Sequence, residues 1–369
     1  VILSVFPELE KPGGIQRLGG HVALAQLLAA RERGLQTRFL SLNDPAGERT
    51  LTIAGHSVPF EGFGGNRARL ALALMRSARR ARLLHVGHVF LAPLLLATKA
   101  INPRLVTHVH IFGIDVWNRR SALQRLAVRR SDWVVSISDH TLARLREVQS
   151  LEPRRSTVIF PPLDPGFLSA GIDEAQALAA VRGRRFFLTV SRLATTEKFK
   201  GIRTAIDAFA RLADAHPDVD YVIAGGGNDL ENLRGEVASR GMEGRIHLPG
   251  RVSDDALRWL YAQCDAFVLP SAKEGFGIVF LEAMAFTKPC IGGNTGGTPE
   301  IVLEDDTGFL VGWDDIDEIA RAMERLASDD ALRARLGAAG YKRLQKVFTF
   351  DTFASRMEEL IEESLGPRL

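Results

Sequence analysis

A chain of 369 residues, 46% hydrophobic and 25% charged, is long enough to close two hydrophobic cores, and its two cysteines, Cys264 and Cys290, exclude a disulfide framework and fit core thiols in a reducing cytoplasm. No run reaches 18 apolar residues, FLAPLLLA (90–97) being short and carrying Pro93, and no charged-then-apolar leader precedes a cleavage site, so neither a membrane span nor a signal peptide is expected. The net charge of +3 is uneven: residues 1–162 hold 23 Lys+Arg against 11 Asp+Glu and residues 163–369 hold 24 against 33, so the first part should meet something anionic unless arginine simply stands in for lysine on solvated helices.

Residues 2–6 read as a short buried strand that ends at Pro7. The loop ELEKPGG leads to a helix over 15–33, with Leu24, Leu27 and Leu28 on its apolar face and Gly34 ending it. A strand over 37–42 follows, and a strand–helix–strand unit predicts a parallel sheet with right-handed crossovers. Gly13 and Gly14 fall in the loop after the first strand, at the carboxyl edge where ligands of open α/β sheets bind; otherwise they are an ordinary loop pair. Residues 50–60 read as strands or a hairpin. The basic run NRARLALALMRSARRAR (66–82) puts Leu70, Leu74 and Met75 on one side and fits either a membrane-surface helix or a solvated outer helix. Strands over 83–86 and 105–109 precede HIFGIDVW (110–117), a basic helix over 121–130, a strand over 132–137 and Ser138, placed to cap a helix over 139–147. A strand over 157–160 ends in PPLDP (161–165), whose stiff Pro-Pro pair marks a linker.

A second β/α series follows. A strand over 186–191 leads through RLATTEKFKG to a helix over 202–214, then a strand over 221–224, the GGGN turn and a helix over 229–240. After a strand over 246–248, Ser253 is placed to cap a helix over 254–263. The central strand, 266–269, breaks at Pro270-Ser271 into EGFGIVFLE (274–282), whose helix runs over 278–286. A strand over 289–292, the NTGGTPE loop and helices over 315–327, 329–346 and 351–364 complete the chain.

The central stretch carries the chemistry. Strand, glycine loop and helix N-terminus together make an anion site. Gly275 and Gly277 allow close backbone approach. Glu274 in the loop and Glu282 two turns into the helix can each accept two hydroxyl hydrogen bonds, which suits a ligand with phosphate in the middle and sugar hydroxyls at both ends. Taken alone, the pair fits equally a solvated loop glutamate and a salt-bridged helix glutamate. No G-x-x-x-x-G-K-[ST] occurs, which argues against a P-loop NTPase, and no cysteine–histidine cluster has zinc spacing. The tripeptides Asp218-Val219-Asp220 and Asp315-Ile316-Asp317 read as loop and cap carboxylates rather than metal ligands.

Glu274 and Glu282, with seven residues between them, resemble the signature of the retaining glycosyltransferases of family 4, the group 1 type. The resemblance continues in the family's order through PGGIQR (12–17), SRLATTEKFKG (191–201), AGGGNDLENL (224–233) and GGTPEIVLEDDTGFLV (296–311). It implies the α/β GT-B fold: two Rossmann-like domains facing across a cleft, with 1–162 binding the acceptor, 163–348 binding the nucleotide-sugar, and a C-terminal helix in 349–369 crossing back to the N-terminal domain.

It also implies roles. Arg192 and Lys200 clamp the donor diphosphate, with Lys198 a rival for Lys200. Fixed cations suit a bond that breaks with negative charge growing on the leaving oxygen, arginine as a planar fork and lysine as a point charge. Glu274 holds hydroxyls of the donor sugar, and the N–H groups near Gly277 and Ile278, beyond Gly275 and Phe276, meet the sugar or β-phosphate. Glu282 binds the ribose hydroxyls, and Arg251 and Val252 hold the base. Gly296, Gly297, Thr298 and Glu300 form the next loop, Glu300 serving equally as a helix cap, and Gly13 and Gly14 approach the donor's phosphates and sugar. One departure stands out: the family's His-Gly dipeptide reads Phe112-Gly113 here, with histidines at His108 and His110, so His110 and Asp115 are carried as acceptor-side candidates. No nucleophile, metal or cofactor is implied, since the leaving phosphate itself helps to deprotonate the acceptor.

The expected activity is transfer of a hexose, with retention, from a GDP-mannose- or UDP-glucose-type donor to a saccharide acceptor, with a polyprenyl-diphosphate-linked saccharide leading. That places the protein in polysaccharide or glycolipid biosynthesis, in the cytoplasm or peripheral at the inner face of the membrane. The basic half then meets an anionic membrane surface, and no nucleic acid is expected. The base stays open among UDP, GDP and ADP. A nucleotide-sugar epimerase of the same fold and a silent sugar-nucleotide-binding scaffold are the alternatives. Intact Arg192, Lys200, Glu274 and Glu282 argue against the scaffold.

Overall fold

The structure, a computed structural model, describes residues 1–11, 13–169, 171–172 and 178–366, without the side chains of residues 168 and 169. Pro12 of the PGGIQR motif and residues 367–369 therefore lie outside the described residues. The chain forms two units, Val1–Gly166 with Val347–Leu369, and Phe167–Lys346. The first boundary lies just beyond PPLDP, because Leu163 N–H still bonds Phe348 O at 2.9 Å within the first unit.

The first unit opens with β1 (Ile2–Phe6), α1 (Gly14–Glu32) and β2 (Thr37–Ser41), then a hairpin of β3 (Gly47–Ile53) and β4 (His56–Gly62). The two-residue turn Ala54-Gly55 has positive φ at both positions, as a tight hairpin of right-twisted strands requires. After α2 (Arg67–Ala78) come β5 (Leu83–Val86), α3 (Leu94–Ile101), β6 (Val106–Ile111), α4 (Ile114–Trp117), α5 (Ala122–Arg130), β7 (Trp133–Ser136), α6 (Asp139–Gln149) and β8 (Ser156–Val158). Asn66, Ser121 and Ser138 accept from the first turns of α2, α5 and α6 as side-chain caps. Leu70, Leu74 and Ala78 of α2 are buried, so its apolar stripe is spent on the core of this unit. The eight strands lie in the order β3-β4-β2-β1-β5-β6-β7-β8, parallel except for the hairpin.

The second unit runs α7 (Gly166–Ser169), β9 (Arg185–Val190), α8 (Ile202–Leu212), β10 (Val219–Ala224), α9 (Leu230–Ser239), β11 (Ile246–Gly250), α10 (Asp254–Gln263), β12 (Ala266–Leu269), α11 (Ile278–Ala285), β13 (Cys290–Gly293), β14 (Gly308–Val311), α12 (Ile316–Ser328) and α13 (Asp330–Val347). All six strands are parallel, in the order β11-β10-β9-β12-β13-β14. Their hydrocarbon core joins Phe187, Phe209, Tyr221, Val268, Ile291 and Met323. This is the doubly wound order, and its direction reverses between β9 and β12. The crevice beyond the carboxyl ends of those two strands is where such a sheet takes a ligand. In the first unit the reversal lies between β1 and β5.

The last helix, α14 (Phe350–Leu365), belongs to the first unit. It packs on α1, and Ile361 closes a small core with Ile2, Ala29, Ala30 and Leu83. Ser364 Oγ meets His108 Nε2 at 2.8 Å. Its five carboxylates, with Asp164, bring the first unit to 17 Asp+Glu against 25 Lys+Arg. Among the described residues no helix is long and apolar enough to cross a membrane.

Candidate active site

Four loops at the carboxyl edge of the six-stranded sheet build the candidate site, and backbone bonds lace them together. The loop after β9 carries Arg192 and a 3-10 turn over Lys198–Lys200, then passes into α8 through Gly201 at φ 70°. A side chain at Gly201 would strike the carbonyl of Pro270, so only glycine brings this loop against the one after β12. Ala272 N–H then donates to Phe199 O at 2.8 Å. The loop after β13 closes on the same segment: Gly297 N–H donates to Glu274 O at 2.8 Å, and Thr295 Oγ1 to Ala272 O at 3.0 Å. A Cβ at Gly297 would stand 2.5 Å from Gly275 O, so this glycine is required by close approach. The loop after β10 is tied in by Leu193 N–H to Gly226 O at 3.0 Å.

This lacing puts the predicted residues together. Lys200 Nζ, at the end of the first loop, forms an ion pair with Glu274 Oε1. Both side chains are largely buried, 16% and 14% exposed, which is where a charge pair acts through a lower dielectric. Arg192 pairs with Glu197 of its own loop; its guanidinium is 70% exposed, and the bond from Glu197 raises its pKa. Gly277 starts α11 with φ 106° and no side-chain cap, leaving the helix N-terminus to the loop. Glu282 lies in the second turn of α11, buried, and accepts from Tyr261 Oη at 2.9 Å. Phe276 and Thr298 are buried in the loops, and Thr298 Oγ1 has no hydrogen-bond partner among the described residues. Arg251 follows β11, exposed, near Gly226, with Val252 half-buried after it. Glu300 lies in a single 3-10 turn, Thr298–Glu300. Lys198 is exposed, and the pairing with Glu274 falls to Lys200.

The acid-x-acid tripeptides take structural roles. Asp315 caps α12 by accepting from Glu318 N–H at 2.8 Å. Asp218 pairs with Arg185, and buried Asp220 with Arg184, Arg245 and His247. Among the described residues no group of three or more His, Cys, Asp or Glu side chains could hold a metal ion.

In the first unit, Gly13 and Gly14 open α1, and a Cβ at Gly14 would meet open space. Asp115 is buried; its Oδ1 accepts from Phe112 N–H at 2.8 Å, its Oδ2 makes no hydrogen bond among the described residues and lies 4.0 Å from His88 Nε2, and burial pushes its carboxyl up to about 6. His110 requires a correction. It is not a loop residue after a strand but part of β6, paired with Val135 and wholly buried. Its ring stacks on Phe112 at 4.8 Å and lies 5.5 Å from that of His85, and burial lowers its pKa well below the ordinary value. It is a core side chain, because this sheet is covered on both faces.

Sequence reasoning passed over Tyr261 and Glu197. Tyr261 acts through a partner on another helix, chosen by the tertiary fold, and belongs to no motif; Glu197 stands inside SRLATTEKFKG, beside the cations that draw attention there, and pairs with Arg192 of the same loop.

Comparison with known proteins agrees with this architecture. Residues 19–167 match the model of Glycosyltransferase Family 4 and residues 172–343 that of Glycosyl transferases group 1. The GDP-mannose-dependent alpha-(1-6)-phosphatidylinositol monomannoside mannosyltransferase of Mycobacterium tuberculosis is 30% identical over 330 residues, 84% of this chain and 77% of that one. The crystal structure of Anabaena HepE in complex with UDP superposes with a TM-score of 0.78 at 20% identity, covering 98% of this chain and 99% of that one. Sucrose-phosphate synthase from Thermosynechococcus elongatus does so with 0.74 at 19% identity, covering 98% of each. Two doubly wound units with these structural neighbours define the GT-B fold. The chain belongs to glycosyltransferase family 4, of the group 1 type.

Proposed function

We propose that the protein is a retaining hexosyltransferase that works without a metal ion, moving a hexose from a nucleotide-diphospho-sugar to a lipid-borne saccharide. One observation carries the reading: Lys200 and Glu274, distant in sequence, meet at the sheet's switch point inside glycine-laced loops. A cation and a carboxylate side by side suit a phosphate next to a sugar hydroxyl. The mycobacterial relative is named for GDP-mannose and for an acceptor that is a mannosylated lipid, and HepE was solved with UDP, so GDP-mannose and UDP-glucose types lead.

In this reading Arg192 and Lys200 hold the diphosphate, and Glu274 takes hydroxyls of the transferred sugar. Gly275 and Phe276 shape the loop whose following N–H groups, at Gly277 and Ile278, face the sugar or β-phosphate. Glu282 accepts the ribose hydroxyls, Arg251 and Val252 flank the base, and Gly297 and Thr298 line the remaining side. Gly13 and Gly14 serve phosphate approach, for nothing packed inside the first unit calls for glycine at 14. The bond from the anomeric carbon to the diphosphate oxygen breaks, and that carbon bonds the acceptor oxygen on the same face. The acceptor's proton passes to the leaving phosphate, so no enzyme nucleophile enters. The fixed cations stabilise the charge growing on the departing oxygen.

Thermal unfolding with UDP, GDP and ADP, each with and without Mg²⁺, tests this. Ligand at about 100 times its dissociation constant adds roughly 2.7 kcal/mol. The expected result is a shift with one nucleotide, indifferent to Mg²⁺ and lost in Glu282→Ala. No shift with any of the three would remove the donor site.

We further propose that the basic first unit works at an anionic membrane face. Helices α2 and α5, both packed on α3, expose Leu72, Leu123 and Leu126, and Arg76, Arg129 and, just past α2, Arg79 are exposed as well. Co-sedimentation with phosphatidylserine vesicles should fall as salt shortens the screening length from about 10 Å at 0.1 M to about 3 Å at 1 M. Binding that ignores salt, or none at low salt, counts against it.

A further inference from the structure

Glu282 is only 6% exposed, and a carboxylate so deep needs a donor. One comes from α10: Tyr261 Oη donates to Glu282 Oε2 at 2.9 Å. The tyrosine is itself wholly buried and cannot touch a ligand. Its ring lies parallel to Phe286, centroids 6.3 Å apart and planes within 5°. Phe267 and Phe167 stand against it at 5.8 and 6.0 Å. Three aromatic rings from separate segments thus fix the place of one hydroxyl. Burial, and then the charge of Glu282, hold the phenol well above its ordinary pKa, so it remains the donor.

The terminal torsion of a glutamate is broad, so a carboxylate without a fixed partner presents its oxygens in many planes. A bond from a rigid phenol to Oε2 selects one. Two vicinal ribose hydroxyls, themselves fixed by the sugar ring, demand such a fixed plane of acceptors.

We propose that Tyr261 is a positioning residue for the donor nucleotide, holding the Glu282 carboxylate in the orientation that accepts the vicinal hydroxyls of its ribose. The proposal rests on the donor-site reading above and adds a side chain that acts only through Glu282. A tyrosine that merely fills the core would matter equally for every ligand of the site. A positioning tyrosine matters only for ligands that carry the hydroxyls.

The experiment is calorimetric titration of UDP, GDP and ADP into the wild-type chain, then of the 2′,3′-dideoxy form of whichever binds, repeated with Tyr261→Phe. Losing a hydrogen bond to a charged group should weaken the ribonucleotide about tenfold or more. The dideoxy nucleotide should bind both proteins alike, and turnover should show a raised KM for the sugar donor with kcat changed less. Unaltered ribonucleotide binding in Tyr261→Phe, or equal weakening of both nucleotides, overturns the proposal. If none of the three binds the wild-type chain, the donor-site reading itself fails and takes the proposal with it. Should Tyr261→Phe not fold, Glu282→Ala is compared with Glu282→Ala/Tyr261→Phe, a pair that leaves no charge stranded. The second substitution should then cost no further ribonucleotide affinity, and a further tenfold loss overturns the idea.

Discussion

The two parallel sheets place their polar side chains in opposite ways. In the second unit, charge sits at the strand ends: Lys200 and Glu274 at the carboxyl edge, Asp220 with Arg184 and Arg245 near the other. Between them run hydrocarbon strands such as Ala266–Leu269. In the first unit the strand interiors are polar. Ser4, His85, His108 and His110 are all wholly buried, and Ser4, His85 and His108 lie side by side across β1, β5 and β6. Both ring nitrogens of His85 and of His110 lack partners among the described residues. One sheet thus needs ionised groups for its stability and the other needs neutral ones, so acid should find them at different points.

The largest expected effect follows from that. Burial drives His85 down to about 3 and holds His108 and His110 well below the ordinary value. The unfolded chain takes up those protons below about 6.5 while the folded unit does not, so each imidazole removes about 1.4 kcal/mol per pH unit below that point. Asp115, raised to about 6, works in the opposite sense but is one group against these three, with His21 and His88, held down to about 4 chiefly by burial, and His140, also lowered, on their side. In the second unit Arg203 holds Asp229, and His216 holds Glu324, below the ordinary carboxylate range, so that unit loses stability only as pH falls below about 4. Calorimetric scans at pH 7.5, 6 and 5 should therefore show a first transition that falls early and a second that holds. Parallel loss in both would break the comparison.

Next in size, Lys200→Ala and Arg192→Ala should each cost on the order of 10²–10³ in turnover. Neither should move the acid-sensitive transition of the first unit, since both lie in the second. Near-normal turnover would remove the clamp. The smallest effect belongs to Glu197, the counterion of an exposed arginine. With the guanidinium 70% exposed and Glu197 10% exposed, a pair reaching solvent is worth about 0.2–1 kcal/mol, so Glu197→Gln should tighten diphosphate binding about 1.4- to fivefold at low salt. Weaker binding would mean that Glu197 serves the loop rather than competing with the ligand.

Much of this was legible in the chain. The capping serines Ser138 and Ser253 accept from Thr141 and Ala256 N–H as their positions suggested, because a cap is decided within four residues. The glycine loops declared themselves because close backbone approach admits nothing else. The turn at Ala54-Gly55 did not, for alanine is a poor signal of positive φ. Nor did α3, which starts directly after Pro93, or the short β14. His110 misled for a definite reason. It enters as a candidate because it lies next to the family's His-Gly position, but β6 runs on to Ile111 and sets it inside a sheet covered on both faces, with no solvent side. Tyr261 left no signal, because its partner is set by packing, whereas Glu197 stood within SRLATTEKFKG, five residues from Arg192.

The position of α14 bears on how the molecule comes into being. A chain emerging from the ribosome delivers all of the second unit, 167–346, before the segment that completes the first. Ile361 and Ser364 reach Ile2 and His108 only afterwards. Domains commonly mature in the order of synthesis. Here the order inverts: the later unit can close while the earlier one waits, its imidazole-lined sheet lacking a cover. The nascent first half is thus the part most in need of protection, and its vulnerable interval lasts as long as translation of everything downstream.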